Sequence, residues 1–234
     1  MTSRRVGILG GMFDPIHNGH LDVIAAAQRG LQLDEIFVVP ANVPPHRAAP
    51  VASSYHRFAM VALAIAGREE CRATDLELRE AGPSYTSDTL RRFHSQGFDP
   101  SDLFFVIGAD AFLEIATWKN YPALLELSHF AVISRSGVSV GELPVRLPSL
   151  ASRMRREFTA TSSPLIFLIN APTADVSSTA IRRARANGES ITGMVPFQVQ
   201  QHIERHALYE DPAQRATFNA RSTDRPAGRL HGRD

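Results

Sequence analysis

Cysteine is nearly missing from this chain: its 234 residues include only Cys71. One thiol excludes an internal disulfide framework and suits a reducing compartment, so Cys71 reads as a small packing residue. Long apolar runs are missing too. No stretch approaches the roughly 20 residues that a membrane-spanning helix needs. The first residues pass into a short strand pattern with no signal-peptide apolar region, and the expectation is a soluble, cytoplasmic protein. Charge of one sign is also lacking, since 25 basic residues face 24 acidic ones for a formal net charge of +1. That balance supplies no global field to draw in nucleic acid or a membrane surface. No internal repeat is visible, and no second ligand cluster stands at metal-binding spacing. With 44% hydrophobic residues, the chain can bury one large core, placed here in residues 1–210 as a single domain.

Within that length, strand patterns alternate with helical ones. Residues 6–9, 35–39, 103–107, 130–133 and 165–169 are short apolar runs that read as buried strands, and 72–78 alternates loosely, as an edge strand would. Helical spacing covers 21–31, 53–66, 86–95, 178–186 and 197–207, and a further helix is expected after Gly108-Ala109-Asp110. Alternation on this scale predicts an α/β fold, a doubly wound and mainly parallel sheet with helices on both faces. Two segments resist the pattern. Residues 137–164, with Arg153, Arg155 and Arg156, read as a loop insertion with room for a short helix. Residues 211–234 turn polar and arginine-rich, and the expectation is a disordered, solvated tail.

The densest chemistry follows the first strand, in Gly10-Gly11-Met12-Phe13-Asp14-Pro15-Ile16-His17-Asn18-Gly19-His20. Glycines let a backbone approach a ligand, proline stiffens the loop, and the free amides of the helix that follows favour an anion. His17 and His20 fall on one side of that first turn and can donate hydrogen bonds to phosphate oxygens. Other readings stand beside this one: a tight connection with two solvated histidines, or a metal site of Asp14, His17 and His20. The bare glycines favour a bulky anion packed on main-chain amides over a metal. A second constellation lies at Val176-Ser177-Ser178-Thr179-Ala180-Ile181-Arg182, where Ser177 or Ser178 caps a helix and Arg182 sits a turn further on. An ordinary capped helix with an exposed arginine would look the same by itself. Together, the two helix starts form a plausible clamp on a triphosphate.

These segments resemble the signatures of the nucleotidyltransferases that share a His-x-Gly-His element with class I aminoacyl-tRNA synthetases; Ser177 to Arg182 is similar to their Ser-Ser-Thr-x-x-Arg element. Within that group the resemblance is to the bacterial nicotinate-nucleotide adenylyltransferase family. It is carried further by Pro44-Pro45-His46-Arg47, by Ser84-Tyr85-Thr86-Ser87-Asp88-Thr89, and by Gly108-Ala109-Asp110 with Trp118 downstream. Motif order is kept over residues 5–208. One departure is Arg47, where that family more often has lysine.

The resemblance implies a Rossmann-like nucleotidyltransferase fold and transfer of AMP from ATP to nicotinic acid mononucleotide, giving deamido-NAD and pyrophosphate in NAD biosynthesis. It implies catalytic roles for His17, His20 and Arg182, and ATP contacts from Gly10, Gly11, Met12, Phe13, Gly108, Asp110, Ser178 and Thr179 as well. Arg47, Thr86, Trp118 and Arg135 would serve the mononucleotide. Mg2+ would enter on the ATP phosphates, bound mainly through water, with no protein metal ligands. Alternatives are another phosphate acceptor, nicotinamide mononucleotide or 4'-phosphopantetheine, or a catalytically silent nucleotide-binding regulator. The partners expected are the two substrates, with no nucleic acid and no membrane; oligomeric state is not legible.

Overall fold

The computed structural model describes residues 4–43, 48–135 and 137–211. Seven strands form one sheet: β1 (Val6–Gly11), β2 (Glu35–Pro40), β3 (Cys71–Ala73), β4 (Leu103–Gly108), β5 (His129–Ile133), β6 (Met154–Arg155) and β7 (Ile166–Ile169). Their order is β3-β2-β1-β4-β5-β7-β6, and every neighbouring pair is parallel. Among the described residues seven α-helices accompany them: α1 (Asn18–Leu31), α2 (Ser54–Ile65), α3 (Thr86–Ser95), α4 (Ala109–Phe112), α5 (Leu143–Arg146), α6 (Ser178–Ala186) and α7 (Phe197–Arg205).

Period-two alternation along the strands divides the interior into two cores, as a sheet covered on both faces requires. On β4, Phe104 and Val106 enter a core shared with Ile24 of α1, Met60 of α2, Ile181 of α6 and Val199 of α7. Phe105 and Ile107 enter the opposite core with Leu90 and Phe93 of α3 and Phe112 of α4. The expected doubly wound sheet is therefore present. Its direction of growth reverses between β1 and β4, and in open parallel sheets the crevice beyond the carboxyl ends of such a pair is where ligands bind.

Three elements differ from the sequence reading. The edge strand expected over 72–78 ends at Ala73, because Asp75 closes a turn: its carbonyl accepts from Leu78 and Arg79 N–H at 2.9 and 3.2 Å. The helix after Gly108 is only four residues long and gives way to 3₁₀ turns at Ile115–Thr117 and Ala123–Glu126. Residues 137–164, expected as a loop insertion with a short helix, hold α5, a six-residue 3₁₀ segment and the edge strand β6. Val140, Leu143, Leu150 and Met154 recur at near-helical intervals and are buried in the second core, which explains why this stretch is folded onto the sheet. Arg153 staples it there through Glu126 Oε1 at 2.6 Å and the carbonyls of Leu125 and Pro164 at 2.8 and 2.9 Å.

Cys71 is buried, and its thiol is pushed up to about 11 by desolvation and the nearby Glu70, so it packs without reacting. No helix among the described residues is long and apolar enough to cross a membrane. The tail expected at 211–234 lies outside the described residues beyond Asp211.

Candidate active site

Gly10 and Gly11 end β1, and the loop after them turns into α1 through Phe13, whose φ of 48° is left-handed. His17 takes the N-cap position of α1 in an extended conformation. Its backbone N–H donates to Nδ1 of His20 at 3.3 Å, which places the proton of the neutral His20 ring on Nε2 as a donor. The two imidazoles lie with centroids 3.8 Å apart and planes tilted by 32°, and Phe13 meets His20 edge-on at 5.1 Å. His17 is 1% exposed. Its pKa is pulled down to about 4, first by burial and then by the charge of Arg135. His20 is held well below its ordinary value by burial, by His17 and by Arg135. Both rings are therefore neutral near pH 7 in the free protein. Gly19 is required by packing: a Cβ there would lie 3.0 Å from the Ala174 carbonyl and 3.2 Å from the His17 ring.

Against this loop lies the start of α6. Ser177 is the N-cap, its hydroxyl accepting from Ala180 N–H at 3.1 Å. Ser178 turns inward and donates to the Pro15 carbonyl at 2.9 Å. Arg182 donates through Nη1 to the Asp14 carbonyl at 2.7 Å, with Nη2 3.4 Å from Thr179 Oγ1. The two helix starts are thus bonded to each other across more than 160 residues of sequence, and two anion-favouring ends share one crevice.

Three residues hold this arrangement: Asp14, read from the sequence as a candidate metal ligand, and Arg57 and Tyr209, which the motifs did not single out. Asp14 is 1% exposed; Oδ2 accepts from Val51 N–H at 2.7 Å, and Oδ1 from Ala52 N–H at 3.1 Å and the Tyr209 hydroxyl at 2.8 Å. Its carboxylate therefore anchors the loop. Arg57 of α2, also 1% exposed, donates to the carbonyls of Met12, Ala41 and Asn42 at 2.8, 2.5 and 3.2 Å and ties the loop to the end of β2. Its signal was legible in the sequence: Arg57 shares the i, i+3, i+4 face of α2 with Met60 and Val61 and is buried with them. Tyr209 and Asp14 carry no such local sign.

The other side of the crevice is built from β4. A Cβ at Gly108 would meet Asp110 Oδ1 at 2.5 Å and the Arg135 side chain at 3.2 Å, so the bare backbone lets both side chains lie close over it. Asp110, in the first turn of α4, lies 3.7 Å from Arg135 at the end of β5. An open groove of about 400 Å³ runs beyond β5 and β7, lined by Ser134, Arg135, Ser139, Asn170 and Thr173. Trp118 is half-buried and meets Phe105 edge-on at 6.1 Å; that same ring lies 3.6 Å from where a Cβ of Gly10 would be. One aromatic ring therefore separates Trp118 from the Gly10–His20 loop. Thr86 opens α3, which Tyr85 precedes without capping it through its side chain. Lys119, above the Tyr85 ring at 4.1 Å, donates to Asp88 at 2.9 Å and draws the Trp118 segment onto the α3 start. The segments that carry the sequence-predicted Thr86 and Trp118 are thus joined through Lys119, Tyr85 and Asp88. Arg47 and its Pro-Pro-His neighbours lie outside the described residues.

The family model described as cytidylyltransferase-like matches residues 8–184. A protein of Desulfatibacillum aliphaticivorans named "Probable nicotinate-nucleotide adenylyltransferase" is 39% identical over 88% of this chain and 99% of its own length. One of the same name from Cronobacter sakazakii is 40% identical over 86% of this chain and 93% of its own. Among solved structures, Plasmodium falciparum nicotinic acid mononucleotide adenylyltransferase complexed with NaAD superposes with a TM-score of 0.68 at 20% identity, covering 88% of this chain and 97% of that one; this supports the fold. By its motifs, their placement and these relatives, the chain belongs to the cytidylyltransferase-like family, among its nicotinate-nucleotide adenylyltransferases.

Proposed function

We propose that the protein transfers the adenylyl group of ATP to nicotinic acid mononucleotide, releasing pyrophosphate. The observation that carries this reading is the bonded pair of helix starts: His17 and His20 at one, Thr179 and Arg182 at the other, joined through Ser178 to Pro15 and Arg182 to Asp14. The relatives' names point to the same acceptor.

The phosphate of the mononucleotide is the nucleophile, and its second pKa of about 6 leaves it largely ionised near neutral pH, so no general base is required. Its oxygen forms a bond to the α-phosphorus while the bond to the bridging oxygen breaks and the electron pair leaves with pyrophosphate. Positioning and stabilisation of developing charge remain for the protein. His20 Nε2–H donates to the α-phosphate, with His17 beside it. Arg182, Thr179 and the amides of α6 take the β and γ phosphates. Ser178 donates to Pro15, so its share in phosphate binding is to fix the loop. Asp110 and Gly108 receive the adenosine ribose beside the groove. Arg135, whose charge reaches both imidazoles, serves the mononucleotide phosphate at the point of attack.

Trp118 stacks on the pyridine ring, and the start of α3 at Thr86 meets the nicotinate carboxylate. Magnesium bound with the nucleotide would supply charge neutralisation on its phosphates; Asp14, in the same loop as the imidazoles, has both oxygens engaged by protein donors. The test is pyrophosphate release with ATP, Mg2+ and each mononucleotide in turn. Rapid release with nicotinic acid mononucleotide and far slower release with the amide is expected. Equal kcat/KM for the two would overturn the acceptor assignment, and silence with every acceptor despite ATP binding would favour a non-catalytic nucleotide binder.

A further inference from the structure

The turn after α7 has no task in the reaction as proposed, yet its backbone is held in an uncommon shape. Ala207 and Tyr209 both have positive φ, 47° and 64°, a region that side chains other than glycine enter only when their surroundings hold them there. Leu208 N–H bonds back to the Ile203 carbonyl at 2.9 Å, and Glu210 pairs with Arg185 of α6 at 2.5 Å. Between these anchors the Tyr209 hydroxyl is delivered to Asp14 Oδ1 at 2.8 Å, across 195 residues of sequence. Burial and the adjacent carboxylate raise the phenol far above its ordinary pKa, so it remains a donor.

What that hydroxyl does depends on Arg182. Its Nη1 bonds the Asp14 backbone carbonyl at 2.7 Å and stands 3.9 Å from the Asp14 carboxylate, at the outer edge of an ion pair. Three protein donors already occupy that carboxylate: Val51 N–H, Ala52 N–H and the Tyr209 hydroxyl. Each one lowers the pull that the negative charge exerts on the neighbouring guanidinium. We propose that Tyr209 is a positioning residue for adenylyl transfer: its hydroxyl satisfies Asp14 and so keeps Arg182 available to the β and γ phosphates instead of collapsing onto the carboxylate. This rests on the function proposed above. It also implies the reciprocal effect, that a bound polyphosphate strengthens the Tyr209 contact.

The test is Tyr209→Phe, which keeps the ring's packing and removes only the hydroxyl. Expected are a roughly tenfold rise in the KM for ATP and in the inhibition constant of pyrophosphate. The KM for nicotinic acid mononucleotide and the affinity for the dinucleotide product, which lacks the β and γ phosphates, should stay within about twofold. Unchanged ATP and pyrophosphate constants would overturn the proposal. So would equal weakening of pyrophosphate and dinucleotide, since a general loosening of the fold gives that result. If the wild-type chain showed no transfer at all, the proposed function would fall, while pyrophosphate affinity measured by calorimetry would still judge Tyr209. Should the variant fold poorly, amide exchange in the wild-type chain decides: exchange over 207–211 should slow with pyrophosphate and not with the dinucleotide, and no slowing would overturn the inference.

Discussion

Around the Gly10–His20 loop the Asp14 carboxylate and the terminal nitrogens of Arg57 are buried and bonded before any ligand arrives, whereas Lys119 and Asp88 tie the acceptor side together at its surface. Asp14 and Arg57 are each 1% exposed and bond backbone atoms directly. Trp118 is held instead through its neighbour Lys119, whose partner Asp88 is also partly exposed, the two side chains being 42% and 41% accessible. A site for several phosphate charges gains most from dipoles fixed in advance, because each one that had to reorient would cost rate. A site for a flat ring and one carboxylate gains affinity from area and a few donors, and tolerates adjustment. The two halves therefore fail differently when damaged.

The largest expected effect is on the donor half. His20→Ala should lower kcat by about 10²–10³-fold with the KM for ATP changed far less, since its contact strengthens as charge develops; initial-rate kinetics with a pyrophosphate-coupled assay measure both. An unchanged kcat would remove His20 from the chemistry. Next is Asp14→Ala, which strands the N–H groups of Val51 and Ala52 and the Tyr209 hydroxyl. A loss of about 3 kcal/mol is expected, lowering the thermal midpoint by roughly 10 °C in a chain of this size. A variant as stable as the parent would show that the loop is held by something else.

Acid should act on the same half. His17 has a folded pKa of about 4 against an ordinary 6.5, so its neutral form stabilises the fold fully above pH 6.5, and that contribution is lost as pH falls from 6.5 toward 4. The full loss is on the order of 3 kcal/mol, with His20 acting in the same direction. Urea midpoints at pH 7.5, 6 and 4.5 should decline in that order, and a flat profile would contradict the burial of the pair. The smallest effect belongs to the acceptor half: Trp118→Ala should raise the KM for nicotinic acid mononucleotide about tenfold and leave that for ATP within about twofold. Equal changes in both would erase the distinction between the halves.

Much of this arrangement was legible in the sequence where the cause is local. Gly10 to His20 contains its own strand end, turn and helix start, and Ser177 to Arg182 its own cap and first helical turn; they follow the carboxyl ends of β1 and β7. Residues 137–164 misled because Arg153, Arg155 and Arg156 masked the spacing of Val140, Leu143, Leu150 and Met154, which bury against strands far away in sequence. Asp14 was considered as a metal ligand and is instead an acceptor for Val51, Ala52 and Tyr209. No spacing rule reveals partners 37, 38 and 195 positions away. Arg57 falls between these cases, since its place on the apolar face of α2 was visible although its carbonyl partners were not.

The bonds that close the crevice join residues separated by 163, 168 and 195 positions: Pro15 to Ser178, Asp14 to Arg182 and Asp14 to Tyr209. At synthesis rates of about 5–20 residues per second, the imidazole loop leaves the ribosome roughly 10 to 40 s before the tyrosine that completes its support. Contacts of such separation also form late in folding, because chain entropy must be overcome before they add stability. During that interval the Gly10–His20 loop lacks its partners Ser178, Arg182 and Tyr209. On the proposed function, a nucleotide that binds only the finished clamp would favour the completed fold by mass action.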